Sequence, residues 1–125
     1  MRIILVVSKN SLVRSGLRSL LSSAGYNTWG VETVRRWITP AQSTQLIPPH
    51  LVLLEVDSVL SRSAVKEAQQ IREFYGNSSL PIIVVTVQES PAELNKLSTS
   101  NAINGYISLS SGAAELLEMV RRYLP

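Results

Sequence analysis

Four short apolar runs in this chain close on polar or altered residues, and any chemistry it performs has to be sought at those ends. Ile3 to Val7 runs into Ser8-Lys9, Leu51 to Leu54 into Glu55, Ile82 to Val85 into Thr86-Val87, and Tyr106-Ile107-Ser108 into Leu109. The chain's single aspartate, Asp57, follows Glu55 by two residues. Carboxylates, a hydroxyl and an ammonium at one edge of a sheet suit phosphate chemistry, in which charge gathers on oxygens and must be offset by metal or ammonium. Other chemistries lack material. There is no cysteine for a disulfide or thiolate site, and His50, the one histidine, leaves almost nothing for zinc and has no evident catalytic companion. No Gly-rich phosphate loop and no G-x-S-x-G elbow occurs, so an unrelated enzyme is not expected.

The elements that position these ends can be read from periodicity. The apolar runs are rich in Val and Ile and apolar on successive residues, the pattern of strands buried on both faces of a parallel sheet. Between them lie helical stripes. Leu12, Val13, Leu17, Leu20, Leu21 and Ala24 form the first, opened by Asn10 or Ser11 and closed by Gly25. Val65, Ala68, Ile71 and Phe74 or Tyr75 form another, and Leu116, Leu117, Val120 and Leu124 a C-terminal one. Val34, Trp37 and Ile38 face inward from a helix that must stop near Thr39, because Pro40 follows. Ser90-Pro91-Ala92-Glu93 is a strong helix start, yet only Leu94 and Leu97 give that helix an apolar face, and it is expected to be the most mobile of the fold. The polar stretch Ala41 to Pro49 is expected to be a connecting loop.

Strand and helix thus alternate five times, and right-handed crossovers place helices on both faces. The expected fold is α/β: a doubly wound, five-stranded parallel sheet of order 2-1-3-4-5, flavodoxin-like, as a single domain over residues 1–125. In such sheets ligands bind beyond the carboxyl ends of strands 1 and 3, where the winding reverses. With 125 residues the chain is long enough for its own core. The net charge of +3 comes mainly from arginines spread over helices rather than a basic run interleaved with aromatics, so direct nucleic-acid binding is not expected. No apolar stretch approaches the ~20 residues that span a bilayer, and a soluble cytoplasmic protein is the expectation.

In this order and spacing the segments resemble the receiver domain of two-component response regulators, over the whole chain. Val6-Val7-Ser8-Lys9-Asn10 with Leu12 to Leu21 is similar to the first strand, acidic pair and first helix of NarL-type receivers. Pro49 to Val56 is similar to the phosphoacceptor strand, Leu80 to Thr86 to the fourth strand with its hydroxyl, and Asn104 to Leu109 to the fifth strand leading to the family's lysine. The resemblance implies an aspartate nucleophile, an acidic pair holding Mg²⁺, a hydroxyl and a lysine. At those places stand Glu55, Ser8 and Lys9, Thr86, and Leu109. Lys9 sets a cation where a metal ligand is implied, so no metal and no cofactor are expected, and Lys9 is expected to pair with Glu55 or Asp57 in the metal's place.

The resemblance further implies a switch pair, Thr86 and Tyr106. Val87 stands where a very small residue would leave the site open, and Val59 where proline is usual. The expected function is that of a degenerate pseudo-receiver: not an enzyme, independent of phosphorylation, acting as a protein-interaction or dimerisation module in signalling or transcription control. Its interaction surface is expected at Leu94, Leu97, Tyr106, Met119 and Tyr123, with Leu12, Arg14 and Arg18 near Arg121 and Arg122 as a second face. The expected partners are another protein or a second copy of the chain. DNA enters only through a helix-turn-helix domain following Pro125, as in NarL-type regulators. A small-molecule sensor, or a receiver weakly phosphorylated on Glu55, are the alternatives.

Overall fold

The computed structural model describes residues 2–38, 48–56, 62–76, 79–86 and 103–124. Asp57, Val59, Val87, Leu94, Leu97, the Ser90 helix start and most of the Ala41–Pro49 stretch lie outside the described residues. Five strands, β1 (Ile3–Val7), β2 (Asn27–Val31), β3 (Leu51–Val56), β4 (Ile82–Thr86) and β5 (Gly105–Ser108), pair in parallel in the order β2-β1-β3-β4-β5. The helices are α1 (Ser11–Ser23), α2 (Val34–Trp37), α3 (Arg62–Tyr75) and α4 (Ala113–Tyr123), with one 3-10 turn at Leu109–Ser111. Order and topology are those expected from the alternation of runs and stripes.

Side chains alternate across a strand, so a run apolar on every residue must fill two cores. Leu5, Val7, Val52, Leu54, Ile82 and Val84 meet Val34, Trp37, Ala68 and Ile71 of α2 and α3 on one face. Ile4, Val6, Leu53, Ile83 and Val85 meet Leu17, Leu21, Leu116 and Val120 of α1 and α4 on the other. Burying such side chains stabilises the fold by roughly 1.5–3 kcal/mol each. No helix among the described residues is long and apolar enough to cross a membrane.

Local chemistry fixes the helix ends. The Asn10 side-chain oxygen accepts from the backbone N–H of Leu12 (2.9 Å) and Val13 (3.2 Å), so Asn10, not Ser11, caps α1. Past its C-terminus the chain turns through Gly25 at φ +96°, a conformation costly for any residue with a Cβ. Leu12 departs from expectation: it is 82% exposed. It lies about 140° round the helix from Leu17, off the arc shared by Val13, Leu20 and Leu21. On α3 the choice between Phe74 and Tyr75 falls to Tyr75, which packs on the core and accepts a hydrogen bond from Trp37 Nε1 at 2.6 Å, while Phe74 is largely outside. His50 is structural: its Nδ1 accepts from the N–H of Ile3 (3.0 Å) at the start of β3, opposite the strand ends of interest.

Candidate functional site

Register sets the strand ends side by side. Val7 pairs with Leu54, so Ser8 and Glu55 stand one step beyond it at the same level; Val56 pairs with Thr86, and Thr86 with Ser108. Ser8, Thr86 and Ser108 are buried, Glu55 is half-buried, and Lys9 is exposed. The four strand ends therefore form one edge, as the sequence requires of a site at the reversal point between β1 and β3.

What these groups do there is local. The Ser8 hydroxyl donates to the Asn10 carbonyl (3.1 Å) and accepts from the Asn10 N–H (3.2 Å), closing a tight turn that leads into the α1 cap. The Ser8 carbonyl accepts from Arg14 Nη1 at 2.7 Å. The hydroxyl proton is thus committed, and a guanidinium stands over the turn. After β5 the chain closes into its 3-10 turn, with Ser108 Oγ accepting from the N–H of Ser110 at 3.3 Å. Leu109 packs on the core shared by α1 and α4 and lines an apolar groove of about 260 Å³ with Val13, Gly16, Leu17, Leu20 and Leu116. The position at which the resemblance implies an ammonium carries an aliphatic wall.

The described residues of this edge offer a divalent cation few ligands. Mg²⁺ needs oxygen ligands near octahedral geometry and binds carboxylates. Among the described residues the edge carries one carboxylate, Glu55, beside the exposed ammonium of Lys9 and a Ser8 hydroxyl already bonded within its own turn. Among the described residues no group of three histidines, cysteines or carboxylates is placed to hold a metal.

Lys9 shares a cleft with a residue the sequence reading passed over. Its ammonium acts on Glu67 of α3, whose carboxyl lies above the ordinary glutamate range because burial penalises the charged form, with Lys9 partly opposing that. Glu67 lies beside Ala64 and Ala68, which are fully buried, so a charge on the inner flank of an amphipathic helix was the signal available in the sequence. Tyr106 is half-buried on the α2/α3 side, whereas Met119 and Tyr123 pack on the α1/α4 side, over Gly105. Tyr123 also donates its hydroxyl to the Asn104 carbonyl at 2.7 Å. These three residues therefore flank the edge strand β5 from both faces. Arg14 and Arg18 lean over Gly30 of β2, with Arg18 Nε donating to Thr28 Oγ1 at 3.1 Å, and so serve the β2 edge.

No family model matches the chain, and no curated protein matches its sequence. Solved structures do match its shape. The chemotaxis protein CheY4 of Vibrio cholerae superimposes with a TM-score of 0.77 at 18% identity, over 98% of both chains. The fold is that of CheY-like receiver domains. A response regulator receiver protein from Burkholderia phymatum gives 0.77 at 17% identity over 99% of this chain and 95% of that one. The N-terminal domain of a response regulator/sensory box/GGDEF three-domain protein from Carboxydothermus hydrogenoformans gives 0.76 at 22% identity over 98% and 94%. At these identities the likeness is one of fold.

Proposed function

We propose that this domain is a pseudo-receiver: a cytoplasmic signalling module, not a catalyst, that takes no phosphoryl group and works through its surfaces. The observation carrying this reading is the β1 end, where Ser8 is tied into the Asn10 turn and Lys9 stands beside it in place of a metal-binding carboxylate. The aliphatic Leu109, packed toward α4, removes the counter-charge at the other side. A working switch inverts a 1:99 population only with ~5.5 kcal/mol of differential binding, and these residues provide no such anchor for a covalent phosphoryl group. The NarL-type character and a role in transcription control, through a helix-turn-helix domain beyond Pro125, belong to the same proposal.

Two faces serve partners in this reading. The first is Tyr106, Met119 and Tyr123 around β5, and suits another protein; Leu94 and Leu97, outside the described residues, are assigned to it from the sequence alone. The second is α1 with α4, where exposed Leu12 stands near the apolar groove below Leu109. A two-fold contact there would let each copy cover the other's leucine. Incubation with acetyl phosphate and Mg²⁺ followed by intact-mass measurement is expected to leave the chain unmodified, and a Mg²⁺-dependent phosphoryl adduct on Glu55 or Asp57 would defeat the reading.

The same groove supports a second reading, sensing of a small apolar ligand, since its lining is overwhelmingly hydrocarbon. It involves Leu109 but neither Lys9 nor Thr86. A thermal-shift screen of aliphatic and aromatic compounds tests it; stabilisation lost in Gly16→Leu, which fills the groove, is the expected result if the groove is the sensor.

A further inference from the structure

Between the end of β1, α2 and α3 lies a cleft of about 430 Å³, within the size range of small-ligand sites. Lys9 enters it from the β1–α1 turn, Arg35 from α2 and Lys66 from α3, and Glu67 and Gln70 complete the α3 wall. Cations along the outer face of one helix are ordinarily just solvated. These three come from separate elements, and the topology of the sheet brings them onto one concavity, where walls of low dielectric concentrate their field.

The charges do not balance within the cleft. Among the described residues three cations face one carboxylate, and Glu67 is half-buried, so its ionised form is itself penalised. Among the described residues neither Lys9, Arg35 nor Lys66 makes an ion pair within 4 Å; the pairs found are Arg36–Glu32 and Arg122–Glu118. A ligand carrying two or more negative charges supplies the missing charge. A phosphate-bearing one suits an arginine fork flanked by lysine point charges.

We propose that this cleft binds a small polyphosphate-bearing molecule, of the nucleoside diphosphate or pyrophosphate type, held non-covalently by Lys9, Arg35 and Lys66. The cleft shares Lys9 with the strand-end site but is not lined by Glu55, so the proposal needs no covalent phosphoryl group. It gives the fold an anionic input that needs neither metal nor nucleophile.

Isothermal titration of the whole chain without Mg²⁺, using sodium pyrophosphate in one arm and ADP in the other, tests this. The expected result is saturable one-site binding by at least one probe, weakening as salt rises from about 0.05 to about 0.5 M. The double variant Arg35→Glu/Lys66→Glu is expected to lose about tenfold or more in affinity. Arg121→Glu/Arg122→Glu makes the same charge change on α4, across the sheet, and is expected to retain binding. Circular dichroism shows that both variants fold. Absence of saturation by either probe up to about 5 mM, equal loss in both double variants, or capture of a DNA duplex with no response to pyrophosphate would each overturn the proposal.

Discussion

In the proposed pseudo-receiver Glu55 is one changed residue in a set, and restoring it alone is expected to restore nothing. Glu55→Asp shortens the carboxylate but leaves Ser8 and Lys9 at the places of the implied acidic pair and Leu109 in the apolar groove. We therefore expect no phosphoryl adduct on that variant after treatment with acetyl phosphate and Mg²⁺, by intact-mass measurement. Glu67 gives a second residue-scale expectation. Its folded-state pKa is raised above 4.5 by burial, so the folded state holds the proton more tightly than the unfolded chain. The stability this confers is present below 4.5 and is lost as pH rises through the folded-state value. Glu67→Gln removes the titration: wild type and variant should differ in pH dependence from 4.5 upward, the variant melting higher at neutral pH. Thermal melts across that range check it, and a variant that melts lower at neutral pH would show that the Lys9 attraction outweighs burial.

At the scale of elements, α2 is only four residues long and is held by what Trp37 touches. The indole stacks at 5.4 Å on Trp29 of β2 and donates to the Tyr75 hydroxyl of α3. Trp37→Phe and Tyr75→Phe should each cost about 1 kcal/mol, with the double variant costing less than the sum, because both remove the same bond. Urea unfolding measures this directly. The strands were legible in the sequence because a strand buried on both faces has little choice but to be apolar on successive residues, as in Ile3–Val7 and residues 82–85. Leu12 was misjudged for the opposite reason: an apolar residue at a helix start was counted with the stripe although its angular position puts it outside. Nor could the sequence show that Lys9 acts on Glu67, since the two stand on separate elements that only the fold sets around one cleft. Asn104 is a similar case, its side-chain oxygen accepting from the Ile82 N–H (2.9 Å) and from Arg72 Nη2 (2.6 Å), a junction of β4, β5 and α3 that no local pattern marks.

For the whole molecule, the exposed leucine and the groove beside it bear on association. Leu12→Glu should leave stability within about 0.5 kcal/mol of wild type, because little is buried there to lose, whereas Leu21→Ala in the core should cost about 2–5 kcal/mol. If the α1/α4 face joins two copies, sedimentation velocity should show Leu12→Glu shifting the population toward monomer; an unchanged distribution would assign Leu12 no part in assembly. The two arginines of α1 have a different bearing. Arg14 reaches back to the Ser8 carbonyl six residues away and Arg18 reaches forward to Thr28 ten residues away, both lying flat over the space left by Gly30. The loops these contacts close are short, and closing short loops costs little chain entropy. The β1–α1–β2 unit thus has its own tethers before the distant strands arrive, and it is where a folding nucleus would form: destabilising substitutions at Leu17 and Leu21 should slow refolding, while those in α4 should chiefly hasten unfolding.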